Sequence, residues 1–191
     1  MVDLFNYTRR TSSVAHVGEL DLGGTNPIRI QSMTTTNTND TEACVRQAEE
    51  IIKAGGELVR FTTQGSREAE NMKNINAGIR ADGFTTPLVA DIHFNPNVAD
   101  VAALYCEKVR INPGNYVDPA RKFIKQEYTD EEYAHELQKI EERFVPFLNI
   151  CKENHTAIRI GVNHGSLSDR IRNRYGDTPE GIVESCMEFL R

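Results

Sequence analysis

The sequence predicts an α/β fold built on a parallel sheet, and three observations predict it. Short apolar stretches alternate with helical periods five times, starting near Ile28, Leu58, Leu88, Lys108 and Ala157. Strand–helix repetition with strands this short is the pattern of parallel sheets. Each strand then breaks into polar residues: "QSMTTTNT", "RFTT", "ADIHF", "RINPGN" and "RIGVNHGS". The C-terminal ends of parallel strands are where such folds place ligands.

The elements follow in order. "VAHVGELDL" over 14–22 alternates and ends at a Gly-Gly pair, so it is expected as one arm of a hairpin whose second arm begins at "PIRIQSM". "TNDTEACVRQAEEIIKAGG" carries Ala43, Ala48, Ile51 and Ile52 on a helical period, with Thr38 or Asn39 as the expected cap. "ELVRFTT" is a strand and "SREAENMKNINAGIRADG" a helix that stops before Gly83. "PLVADIHF" is a strand, and "NPNVADVAALYCE" a helix with Pro96 in its first turn. "KVRIN" is a strand. The stretch from Pro119 to Asn154 is expected to be helical, bent or split at Pro146. "TAIRIGVN" is the last strand, and the final helix starts at Thr178 as cap with Pro179 at its first position.

Two architectures fit this order, an open doubly wound sheet and a closed barrel. No GxGxxG follows the first strand, which argues against dinucleotide binding of the open-sheet kind. A complete barrel needs about 250 residues and eight units. The chain has 191 residues. An open five-strand piece of a barrel would expose two strand edges.

Composition narrows the function. With 39% apolar and 26% charged residues the chain reads as a soluble domain with one core. A net charge of -6 argues against general nucleic-acid binding, though a local pocket can oppose the global sign. No apolar run approaches a membrane span and the N-terminus lacks an apolar signal core, so a cytoplasmic location away from membranes is expected. Cys44, Cys106, Cys151 and Cys186 lie far apart without CxxC spacing and read as buried free thiols, with no metal expected on this chain.

The informative breaks in pattern are arginines. Arg60, Arg110 and Arg159 each sit inside a short apolar strand. Neighbours on a strand point to opposite faces, so an arginine between outward apolar residues points inward. Three such guanidiniums would converge at one mouth, and buried arginine cannot shed its charge. Asp91 can neutralise one of them but not three. A guest with two phosphates can. The Pro-Gly turn after Arg110 is expected to turn backbone N–H groups toward that guest. Arg29, earlier in its strand, is expected near the floor or in a structural ion pair. Asp91, His93, Asn112 and Asn163 are candidate polar contacts, and His164, Ser32 and Thr34 are weaker ones.

The segments "PIRIQSMTTTNTND", "LVRFTT", "PLVADIHF", "VRINPGN", "IRIGVNHGSLSDRI" and "RYGDTPEGIVESCMEF" fall in the order seen in one family. On them the chain resembles the 4-hydroxy-3-methylbut-2-en-1-yl diphosphate synthases, iron–sulfur enzymes of the non-mevalonate isoprenoid pathway. The resemblance implies a (β/α)8 barrel, of which this chain supplies about five units after its hairpin. It implies that residues 1–191 are a truncated N-terminal barrel domain, with the remaining barrel units, an insert domain and the iron–sulfur domain elsewhere. It implies a cyclic diphosphate substrate, 2-C-methyl-D-erythritol 2,4-cyclodiphosphate, gripped by Arg60, Arg110 and Arg159 beside Asp91, His93, Asn112 and Asn163. It also implies a [4Fe–4S] cluster with ligands outside this chain, ferredoxin or flavodoxin as electron donor, and a homodimeric parent. Without the cluster the chain is expected to be inactive by itself. Two other readings stay open, a pterin-type synthase barrel holding a diphosphate and a non-catalytic anion-binding module.

Overall fold

The computed structural model describes residues 6, 8, 10–118 and 127–191. An antiparallel hairpin comes first, β1 (Val14–Val17) and β2 (Leu20–Gly23), paired from Val17↔Leu20 outward. Its turn is Gly18-Glu19, and Gly18 has φ 57°. A two-residue hairpin turn asks for that positive φ, which glycine supplies without strain. Both arms therefore lie within 14–23, and "PIRIQSM" is not the second arm. It leads instead into the main sheet: Glu57 takes the Arg29 guanidinium at 2.8 Å and the Ile30 N–H at 2.8 Å. Arg29 is thus in an ion pair, as its position suggested.

The main sheet contains β3 (Gln31–Met33), β4 (Leu58–Thr63), β5 (Leu88–Ile92), β6 (Lys108–Ile111) and β7 (Ala157–Ile160). All pairings are parallel and the order is β3-β4-β5-β6-β7. Helices α1 (Thr41–Lys53), α2 (Ser66–Ala81), α3 (Pro96–Ala102) and α4 (Asp130–Glu153) connect successive strands. After β7 come α5 (Asp169–Tyr175) and α6 (Pro179–Met187). β3 and β7 are the two edges, so among the described residues the sheet is open.

Alternation along the strands divides labour. Val59, Phe61, Leu88, Ala90, Ile92, Val109 and Ile111 face the helices and join Met72, Ile75, Ile79, Val98, Phe144 and Phe147 in the main core. The opposite face is apolar only at its lower end, where Leu58 and Val89 pack with Val17, Leu20 and Leu22 of the hairpin and with Ala157. The hairpin is therefore the floor beneath that face.

Several local expectations change. Asp40, not Thr38 or Asn39, caps α1, accepting the Ala43 N–H at 3.0 Å. Thr38 is committed to β4, its hydroxyl donating to the Thr62 carbonyl at 2.7 Å. Thr178 caps α6 with Pro179 behind it, as the sequence indicates. Residues 119–126 of the long expected helical stretch lie outside the described residues. Residues 127–129 are not helical, and α4 begins only at Asp130 and runs unbroken through Pro146. Phe144, Phe147 and Cys151 are buried on both sides of the proline, so one core holds both halves in line. Helix α5 was not expected from sequence. Ser168 caps it, and Arg170 ties it to Asp118 at 3.0 Å and to Glu188 at 2.6 Å.

The start of α4 is a capping box: the Glu132 N–H donates to the Thr129 hydroxyl and the Thr129 N–H to the Glu132 carboxylate. Thr129→Ala should lower stability by about 1 kcal/mol, read as a shift of the urea midpoint. An unchanged midpoint would mean the box holds nothing the core does not.

Candidate anion-binding site

Strand register decides which side chains share the open face. Met33, Arg60, Val89, Lys108 and Ala157 stand in one row across the sheet. Thr62, Asp91, Arg110 and Arg159 form the next row toward the C-terminal ends. Arg110 and Arg159 are thus matched, while Arg60 lies one row lower. All three share the face that looks away from the helices.

Asp91 is the hub of the cluster. Only 1% exposed, it accepts from Arg110 Nη1 at 3.0 Å and also from Arg60 Nη2, so it serves two arginines rather than one. Arg110 is 8% exposed and gives Nη2 to the Gly161 carbonyl at 2.6 Å. Gly161 is required there, because a Cβ would fall 2.8 Å from Arg110 Cγ and 2.9 Å from Cδ, and closer still to Nε. The Nε groups of Arg60 and Arg110 are buried without a hydrogen-bond partner. Arg159 forms no ion pair among the described residues. Contrary to expectation Arg159 is an exposed residue, on the edge strand β7; partial burial of its side chain, then the nearby Arg60 and Arg110 charges, lower its pKa, with Asp91 opposing.

Four cations, Arg60, Lys108, Arg110 and Arg159, therefore share the face that holds Asp91, and two of them bond it. Such an arrangement stores repulsion that a polyanion would relieve. Lys108 is the member that sequence reading missed. Its signal was present, since it lies two residues before Arg110 and so on the same face.

The remaining candidates divide. His93 sits beside the hub, its Nε2 3.8 Å from an Asp91 carboxylate oxygen and its Nδ1 3.2 Å from the Asp91 carbonyl. Phe94 follows it at φ 65° with 70% of its surface exposed, a strained position nothing in the sequence announced. Asn112 and Asn163 begin short 3-10 turns and accept the N–H groups of Gly114 and Gly165. The Gly114 and Asn115 N–H groups are both taken by Asn112 and do not face a guest. Instead the Pro-Gly turn brings two loops together. A Cβ on Gly114 would drive into the Ser166 backbone, and Asn112 donates to the Ser166 hydroxyl at 2.7 Å. His164 is exposed and pairs with Asp177 at 2.6 Å, on the loop before α6. Ser32 aligns with Val59 and so belongs to the opposite face from Arg60. Thr34 is buried, and its N–H donates to the Arg60 carbonyl at 2.9 Å, which fixes the strand carrying that arginine.

The five-stranded parallel sheet, with cations at its open face, has a known relative. The sequence profile of the GcpE TIM-barrel domain matches residues 11–191. The chain belongs to the GcpE TIM-barrel domain family. Its fold is accordingly of the TIM-barrel type, and β3 to β7 with their helices are five βα units of that barrel.

Relatives of this GcpE domain include proteins named 4-hydroxy-3-methylbut-2-en-1-yl diphosphate synthase (flavodoxin). Those of Phocaeicola vulgatus and Bacteroides thetaiotaomicron are 76% and 75% identical over 190 residues, all of this chain. That of Akkermansia muciniphila is 54% identical over 98% of the chain. The chain spans about 31% of the length of the first two.

The GcpE domain residues present do not fit an iron–sulfur cluster. Among the described residues no three His, Cys, Asp or Glu side chains come together as a ligand group. Burial raises the pKa of Cys44, of Cys106, of Cys186, and of Cys151 to about 12, so these thiols are protonated and inert as they stand. No described helix is long and apolar enough to cross a membrane.

Proposed function

We propose that this chain is the substrate-gripping barrel portion of a 4-hydroxy-3-methylbut-2-en-1-yl diphosphate synthase, and that its open face binds the diphosphate of 2-C-methyl-D-erythritol 2,4-cyclodiphosphate. The observation that carries the reading is the set of cations on the sheet face that holds Asp91, of which Arg60 and Arg110 already share its carboxylate. The names of the relatives support the choice of substrate class. In this reading residues 1–191 are the N-terminal barrel part, and the other barrel units, an insert domain and the iron–sulfur domain belong to the rest of a cytoplasmic, dimeric protein. A [4Fe–4S] cluster held by that other domain would supply the electrons of the reduction, received from flavodoxin.

The part played by this chain is electrostatic. Arg110, locked by Asp91 and the Gly161 carbonyl, and Arg60, locked by Asp91, present fixed guanidiniums to the phosphate oxygens. Arg159, tied to no carboxylate, is free to close on the second phosphate. As the ring C–O bond opens, negative charge gathers on the released diphosphate oxygen. Preorganised cations in a partly dry cleft stabilise it without having to move.

Calorimetric titration of the chain with inorganic pyrophosphate tests this. Saturable binding at one site is expected, falling with salt, and Arg159→Ala should weaken it about 10- to 100-fold. No binding, or binding indifferent to Arg159, would remove the site.

A further inference from the structure

Lys108 opens β6 two residues before Arg110, so both side chains leave the same face. Its neighbours across the sheet are Val89 and Ala157. Those two belong to the apolar floor made with Leu58 and with Val17, Leu20 and Leu22 of the hairpin. These apolar side chains offer the ammonium no partner, while the next row of the same face holds Asp91, Arg110 and Arg159. The charges that act on it are those of Arg159 from β7 and Arg60 from β4, and Asp91 and Arg110 stand one row up on the same face. The hairpin residues in the floor are apolar.

Asp91 is already shared by Arg60 and Arg110. Lys108 forms no ion pair among the described residues. Burial, then the charges of Arg159 and Arg60, lower its pKa. A half-buried cation beside like charges, with no carboxylate of its own, weakens the fold that holds it. Surface lysines avoid this by extending into water, whereas this one is only partly exposed and stands beside the apolar floor.

We propose that Lys108 is a fourth anion-gripping residue, at the floor of the cleft, and that it binds the phosphoryl oxygen of the guest that reaches deepest. The proposal rests on the diphosphate reading above. It differs from a structural role in a measurable way. A lysine held for its ligand opposes folding when the ligand is absent, whereas a structural lysine supports it.

Lys108→Met keeps most of the stem and removes the charge, while Lys108→Arg keeps a charge. Each is titrated with inorganic pyrophosphate by calorimetry and unfolded in urea without ligand. Lys108→Met should weaken pyrophosphate binding about 10- to 100-fold, yet unfold at the same or a higher urea concentration than the wild type. Lys108→Arg should retain most of the binding. As pH rises, wild-type affinity should fall relative to Lys108→Arg, because the amine loses its proton and the guanidinium does not. Titration of pyrophosphate itself is common to both proteins and cancels in that ratio.

If the wild type binds no pyrophosphate, the diphosphate reading fails and takes this inference with it. If Arg159→Ala weakens binding but Lys108→Met does not, only the inference about Lys108 fails. A lower urea midpoint for Lys108→Met with unchanged affinity would mark a structural lysine. Should Lys108→Met not fold, parallel pH curves for wild type and Lys108→Arg would overturn the proposal by themselves.

Discussion

Gly161→Ala should remove pyrophosphate binding as thoroughly as Arg110→Ala does. The new Cβ would stand within 2.9 Å of the middle of the Arg110 side chain, not its free end, so a small rotation cannot relieve the clash. Arg110 must swing away and give up both the Gly161 carbonyl, now at 2.6 Å, and Asp91, now at 3.0 Å. Truncating one partner of a buried charge pair costs roughly 2–5 kcal/mol. A similar loss of binding is expected for either single variant. The double variant should then bind no worse than Arg110→Ala alone, because the glycine acts only through the arginine. Calorimetric titration of the three variants decides it. An additive double variant would mean that Gly161 has a separate role.

The second large effect is on Asp91. Asp91→Asn leaves two guanidiniums without their counter-charge on a face that already carries Lys108 and Arg159. Breaking a buried pair in this way costs about 3–5 kcal/mol of stability, measured by urea unfolding without ligand. The same change raises the positive charge seen by an anion, so pyrophosphate should raise the urea midpoint of Asp91→Asn more than that of the wild type. A variant that loses both stability and pyrophosphate response would show that Asp91 orients the arginines in a way an amide cannot, and that charge balance is the lesser part of its role.

The strand starts at Leu58, Leu88, Lys108 and Ala157 were legible because each is a short apolar run between strong helical periods. The inward aim of Arg60, Arg110 and Arg159 was legible for the same reason, since alternation is a local property. Register is not local. That Asp91 would reach both Arg60 and Arg110 depended on how β5 lines up with β4 and β6, and single strands do not state it. Lys108 was passed over because a lysine at the first position of a strand looks like a solvated end. Its partial burial depends on what packs around the strand, which the strand's own sequence does not state. The hairpin itself was misplaced because the Gly23–Gly24 pair is a louder turn signal than Gly18 alone. His164 found Asp177, a partner thirteen residues further on, across a loop and a helix that the pattern did not resolve.

The strict alternation on β6 reaches beyond recognition. Lys108 and Arg110 look one way and Val109 and Ile111 the other. A slip of one residue during assembly would push two cationic side chains among Phe144, Phe147 and Val98, and leave valine and isoleucine facing water. Misaligned forms of the nascent sheet are thus penalised by charge as well as by lost contact area. The residues that select the guest also proofread the folding of the strand that carries them.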